Sequence, residues 1–173
     1  CKLYNDTPMH RDNFIKLVKE GWYEGSNFHR IIQGFMIQGG HNAEGKVDPG
    51  YTIPAEFRPN HFHKRGVIAA ARLGDQVNPQ KNSSGCQFYI VQGRRYSAKE
   101  MENIQARTGY SYTDEQIEVY GTIGGTPHLD GAYTVYGEVI SGMDVVDQIA
   151  NVPTIKPGDK PEQEIEFSIE IIE

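Results

Sequence analysis

The chain has 173 residues, with 17 Lys plus Arg against 23 Asp plus Glu and a formal net charge of -6, so its field repels phosphate backbones and excludes nucleic acid as the main partner. That length suits a single domain, residues 1–173, and is too short for two with a linker. Hydrophobic residues at 38% and charged residues at 23% fit a soluble folded domain, and no apolar run nears the roughly 20 residues needed to span a bilayer.

Thr7 followed by Pro8 reads as an N-cap and first helical position, and Phe14, Leu17 and Val18 recur at helical spacing until Gly21, which predicts a helix over about residues 8–20. Residues 25–40 change to short extended pieces punctuated by glycine, with Phe35 and Ile37 on one face of a strand and Met36 and Gln38 on the other. Residues 66–71, 87–91, 134–139 and 164–172 are further predicted strands, separated by turn-rich segments. Residues 95–125 break this rhythm. Ser97 with Glu100, closed by Gly109, and Thr113 with Gln116, closed by Gly121, are two capping boxes and predict a two-helix insertion. Ser141 and Asp144 are expected to cap a last short helix carrying Val145, Val146 and Ile149. The pattern is that of a mainly β barrel or sandwich with a few helices.

Several apparent motifs carry no chemistry. Residues 40–46 match a phosphate-binding loop in spacing, but Val47 follows the lysine and offers no hydroxyl to a cation. His61 and His63 lack a third nearby ligand and are expected in a solvated turn. No strained serine elbow or partnered cysteine marks a nucleophile. The two cysteines, Cys1 and Cys86, leave the compartment open between cytoplasm and periplasm.

The informative segment is Phe28-His-Arg-Ile-Ile-Gln-Gly-Phe-Met-Ile-Gln-Gly-Gly40, joined by residues 7–14, by Gly66-Val-Ile-Ala-Ala-Ala-Arg72, by Ser84-Gly-Cys-Gln-Phe-Tyr-Ile90 and by His128-Leu-Asp-Gly-Ala-Tyr-Thr-Val-Tyr-Gly137. These stretches span most of the chain and together resemble the cyclophilins, the barrel-shaped peptidyl-prolyl isomerases. The resemblance implies a mainly β, cyclophilin-like antiparallel barrel with capping helices. It implies rotation about X-Pro bonds without cofactor or metal, and proline-containing peptides and unfolded proteins as partners. The family's catalytic arginine falls on Arg30, with Phe35 and Gln38 beside it in the catalytic set. Its proline pocket falls on Phe35, Met36, Tyr89 and Leu129, and its neighbouring peptide groove on Gln38, Ala71, Arg72 and Gln87. His128 stands where animal members have tryptophan, and Tyr133 where they have histidine, so both are assigned to substrate binding. These two changes and Arg72 are similar to bacterial members, and the loss of tryptophan implies only weak binding of cyclosporin-type cyclic peptides.

Two departures accompany the resemblance. The chain begins in what resembles the family's second strand, which predicts a missing first barrel strand and an open edge beside residues 2–4. The insertion at about 95–125 replaces a short connection; it is expected to pack beside the proline pocket and shape partner choice, with turnover of a minimal tetrapeptide independent of it. The alternative to an enzyme is a module that docks proline segments with incidental turnover. Arg30 together with Gln38 argues against it, because neither is needed to fill a pocket with proline.

Overall fold

The two most continuous apolar runs of the chain become the middle of one antiparallel sheet. A computed structural model of the protein describes residues 1–172. Its six-stranded sheet has the order β1 (Lys2–Leu3), β8 (Val135–Glu138), β5 (Val67–Ala70), β7 (Phe88–Val91), β3 (Met36–Gly39) and β2 (Phe28–Ile32). Every pairing is antiparallel. Two short ladders stand apart, β4 (Thr52–Ile53) with β6 (Ser83–Ser84) and β9 (Thr154–Ile155) with β10 (Lys160–Pro161).

Successive side chains of a strand point to opposite faces. Ile31, Ile37, Ile68, Ile90 and Tyr136 turn to the main core, where Phe14 and Leu17 of α1 (Pro8–Lys19) and Val146 and Ala150 of α4 (Met143–Ala150) join them. Met36, Val67, Ala69, Tyr89, Val91 and Val135 turn to the other face and form a second cluster. β5 and β7 are therefore buried on both sides, which explains why their sequences are unbroken apolar runs instead of alternating ones. The insertion folds as α2 (Ala98–Thr108) and α3 (Asp114–Thr122) around a third cluster of Met101, Ile104, Tyr112 and Tyr120.

Both insertion helices start at the predicted capping boxes. Glu100 N–H donates to Ser97 Oγ at 3.2 Å and Ser97 N–H to Glu100 Oε2 at 2.8 Å, and Thr113 and Gln116 repeat the exchange. α2 closes at Gly109, whose φ of 73° is left-handed, whereas α3 runs past Gly121 to Thr122. The other two helices depart from expectation. Thr7 occupies the N-cap of α1 without a capping side-chain bond. The distant carboxylate of Glu56 does that work, accepting from Met9 N–H at 3.3 Å and His10 N–H at 2.9 Å. His10 Nδ1 donates to the same carboxylate at 2.7 Å, so Nε2 accepts from the Ser83 hydroxyl at 2.8 Å, and α1 is pinned to β6. For α4, Gly142 rather than Ser141 is the N-cap, and no side chain caps it; Asp144 in the first turn acts only on the helix dipole.

Residues 164–172 do not form the predicted strand. Ile165, Phe167 and Ile169 pack on the main core, which accounts for their alternation. Backbone pairing is limited to a bridge between Asn27 and Glu166; further along β2, Ile31 N–H donates instead to the Asp159 carbonyl at 2.8 Å. At the other end of the sheet, nothing among the described residues pairs with the outer edge of β1, so that edge is open and the strand pairings do not close a ring. No described helix is long and apolar enough to cross a membrane.

Burial depresses the pKa of several imidazoles in this fold, His10 and His29 among them. Burial lowers the pKa of His10, with Glu56 opposing the shift. Burial, then His41 and Arg30, take His29 down to about 4; its ring is stacked on His41 at 3.8 Å. An unfolded chain protonates His29 from about pH 6.5 downward while the folded one does so only near 4, so stability falls as pH drops through that window, and the lowered pKa of His10 acts in the same direction. Thermal melts between pH 7 and 4 should show a falling Tm, with a shallower slope in His29→Asn. A Tm independent of pH over that range would contradict the assignment.

Candidate active site

Cross-strand register opposes Arg30 to Gln38, Gln38 to Tyr89, Tyr89 to Ala69 and Ala69 to Val135. Directly opposed residues share a face, so one row of side chains crosses the sheet from β2 to β8. It begins with a guanidinium and an amide, continues with a phenol, and then drops to the methyl group of Ala69, which leaves room above it. Phe35, Met36, Ala71, Arg72, Leu129 and Tyr133 complete the walls of a cavity of about 140 Å³ that Arg30, Gln38 and Tyr89 also line. Among the described residues, no carboxylate lines it. Phe35 is a departure from strict alternation: it sits at the end of the β2–β3 turn, outside the strand, and joins Met36 in the cavity instead of Ile37 in the core.

The polar rim is wired in series. Arg30 donates to Gln38 Oε1 at 3.3 Å, Gln38 Nε2 donates to Gln87 Oε1 at 3.1 Å, and Gln87 Nε2 donates to the Val47 carbonyl at 2.9 Å. This fixes which way each amide points and engages one N–H of Arg30, out of five. Arg72 is committed to structure: its Nε donates to the Ala132 carbonyl at 2.7 Å, its NH1 pairs with Asp75 at 2.8 Å, and its guanidinium lies 4.5 Å from the centroid of Tyr133. The backbone of Ala71 is engaged on both sides, donating to Gln87 O and accepting from Ser84 N–H. The N–H and C=O of Arg72 have no hydrogen-bond partner among the described residues.

Gln87 and His128 stand outside this cavity, on opposite sides. Gln87 lines a larger groove of about 750 Å³ that Gln38, Ala71 and Arg72 share with it. His128 lies on the short 3₁₀ turn Pro127–Leu129, its ring 5.5 Å from that of Phe35, and faces a cavity of about 250 Å³ that it lines with Arg94 and Arg107. Burial lowers the His128 pKa. The insertion thus packs beside the pocket. Its ends meet where Arg94 and Gly125 exchange two backbone hydrogen bonds; a Cβ on Gly93 would stand 2.5 Å from Gly125.

Two residues at the back of the cavity escape sequence reasoning. His61 is near the surface, within 2.6 Å of Asp6, but His63, expected in the same solvated turn, is 1% exposed. It is buried because it needs no water: Asp130 and the Tyr89 hydroxyl satisfy both ring nitrogens. The available signal for Asp130 was its place beside Leu129 in the motif of residues 128–137.

Residues 1–170 match the family model described as cyclophilin type peptidyl-prolyl cis-trans isomerase/CLD. The chain is 34% identical over 161 residues to a Staphylococcus aureus protein named as a peptidyl-prolyl cis-trans isomerase, covering 91% of this chain and 77% of that one. A protein of the same name from Staphylococcus saprophyticus is 33% identical over 171 residues, covering 96% and 82%. Among solved structures, a cyclophilin type peptidyl-prolyl cis-trans isomerase of Cryptosporidium parvum superposes with a TM-score of 0.70 at 24% identity, over 96% of this chain and 85% of that one. Its structure in the presence of the dipeptide Ala-Pro gives 0.66 at 22%, over 97% and 87%.

The turn that delivers Phe35 is held from β7. Gly34, with a left-handed φ of 75°, donates its N–H to Gln92 Oε1 at 2.6 Å. The N–H groups of Gln92 and Gly93 both donate to the Phe35 carbonyl at 3.0 Å. Gln92 Nε2 donates to Asp147, which Arg65 grips with two bonds. Gln92→Leu removes the amide and strands its partners, at a cost of about 1–3 kcal/mol. Denaturant melts should register that loss, and an unchanged midpoint would mean that the turn is held by its own geometry.

Proposed function

The chain belongs to the cyclophilin-type peptidyl-prolyl cis-trans isomerases, so its reaction is rotation about X-Pro bonds, and we propose that the cavity around Arg30 is where that rotation is catalysed. The observation that carries this reading is the position of Arg30, the less committed of two lining arginines, at a small cavity walled by Phe35, Met36, Tyr89 and Leu129. Amide rotation breaks no covalent bond; its barrier of about 18–20 kcal/mol is the loss of resonance. As the bond twists, the prolyl nitrogen regains a lone pair that the planar amide does not offer. A donor aimed at that nitrogen binds the transition state better than either ground state, which is the condition for catalysis.

Arg30 is that donor, permanently charged and presenting its N–H groups in a rigid fork. A charge-assisted hydrogen bond supplies about 1.5–3 kcal/mol, enough for roughly 10- to 100-fold at about 1.4 kcal/mol per tenfold, and any larger acceleration draws on the rest of the pocket. Phe35, Met36, Tyr89 and Leu129 hold the prolyl ring while the rest of the peptide turns. Gln38, its oxygen already facing Arg30, and the free backbone groups of Arg72 anchor the flanking chain. The groove lined by Ala71 and Gln87 takes the residues before proline. The physiological substrates in this reading are proline-containing unfolded chains. Turnover, rather than docking alone, is supported by the Arg30–Gln38 pair, which adds nothing to a site built only to enclose a ring.

Arg30→Ala should lower kcat/KM by about 10²-fold in a protease-coupled Ala-Pro assay, since removing one donor aimed at developing charge costs about 2.7–4 kcal/mol. Arg30→Lys should recover little, and near-normal turnover by a folded Ala variant would remove Arg30 from the mechanism. His128 offers a smaller apolar face than an indole, so cyclosporin-type cyclic peptides should bind weakly. Calorimetry should find tighter binding by His128→Trp, and equal affinity would show that this position does not govern the ligand.

A further inference from the structure

Tyr89 is 4% exposed and brings a hydroxyl to the wall of a site that must hold a proline ring. A phenol there needs a partner behind the wall, or its O–H will hold water inside the cavity. His63 Nε2 lies 2.7 Å from that oxygen. Asp130 Oδ1 accepts from both the backbone N–H of His63 at 2.7 Å and its Nδ1 at 2.8 Å. With Nδ1 donating to the carboxylate, Nε2 of the neutral ring is left as an acceptor, and Tyr89 spends its one proton on it, away from the cavity. Tyr133 meets His63 and Tyr89 edge-on, with centroids 6.5 and 6.1 Å away, and closes the remaining side.

The far oxygen of Asp130 is satisfied by the insertion. Tyr120 donates to Oδ2, and Tyr112 Oη, 3.0 Å from Oδ2 and 2.7 Å from the Pro127 carbonyl, divides its proton between them. The side chains of His63 and Asp130 are each 1% exposed, so neither is a surface pair of small consequence.

We propose that His63 and Asp130 are positioning residues for isomerisation, holding the Tyr89 ring against the prolyl group and coupling that wall to the helical insertion through Tyr112 and Tyr120. The proposal rests on the assignment of the Arg30 cavity as the active site. It revises the expectation that tetrapeptide turnover is independent of the insertion, because residues 97–120 carry two of the hydroxyls that face Asp130. The Tyr89 ring contacts the prolyl group in ground and transition states alike, so its misplacement weakens binding uniformly and acts on KM rather than kcat.

The test is steady-state kcat and KM of the full chain on an Ala-Pro tetrapeptide, with folded fraction measured by circular dichroism. His63→Leu should raise KM about tenfold, the equivalent of one net hydrogen bond, with kcat nearly unchanged. His63→Gln, whose amide can both donate to Asp130 and accept from Tyr89, should recover most of the loss. Tyr120→Phe, remote from the cavity, should raise KM in the same direction by a smaller factor, and it decides the matter if His63→Leu does not fold. A kcat that falls with the folded fraction at constant KM, or a Gln variant no better than Leu, overturns the proposal; so does an unchanged KM in Tyr120→Phe. Arg30→Ala in the same assay separates the two claims. If it abolishes most turnover while the His63 variants keep a normal KM, positioning alone fails, and if it leaves turnover intact the active-site assignment fails.

Discussion

β3 pairs on both sides, with β2 through the register Arg30 to Gln38 and with β7 through Gln38 to Tyr89. That double pairing puts guanidinium, amide and phenol in one line without any side chain having to find its neighbours. It also couples site and core, since Ile37 and Ile90 on the reverse of the same strands are core residues. A slip of one residue would send the row inward and the isoleucines outward, so hydrophobic burial is what enforces the register of the functional row.

Such a scaffold suits a reaction in which the substrate moves and the protein does not. The groups assigned here neither form covalent bonds nor exchange protons, and their contribution depends on being held where charge appears during rotation. The polar partners reflect this. Gln38 is fixed by Gln87, Gln87 by a carbonyl, Tyr133 by Arg72, and Tyr89 by His63. The partners behind the cavity fix how Gln38 and Tyr89 point, and Arg30 gives a single side-chain bond among the described residues, to Gln38, so most of its donors remain to be offered.

What the sequence discloses and what it withholds divide along physical lines. Strand faces and capping boxes are written in local patterns, period-2 alternation and a Ser or Thr three residues before a Glu or Gln, while the cavity residues are reached through four separated stretches that resemble the cyclophilins. Features made by contacts distant in sequence are invisible to such patterns. The cap of α1 comes from Glu56, 46 residues beyond His10. His63 reads as a surface residue because its partners, Tyr89 and Asp130, lie 26 and 67 residues away. Residues 164–172 mislead for the converse reason, since alternation reports a buried face and not a paired backbone. Phe35 illustrates a third kind of miss, in which the turn, rather than the strand period, decides where a side chain goes.

The carboxylate of Asp130 also ties together parts of the chain that are otherwise separate. Its four donors come from three places: the approach to β5, the loop after α2, and α3. An anion cannot leave water before its donors arrive without a large desolvation cost. The turn bearing His128 and Leu129 and the helices of the insertion therefore share one buried anion, and loosening either side leaves that anion short of a donor. The back wall of the Arg30 cavity and the insertion are thus one cooperative unit, in which a loss of packing in α3 is felt at the Tyr89 ring through the same carboxylate.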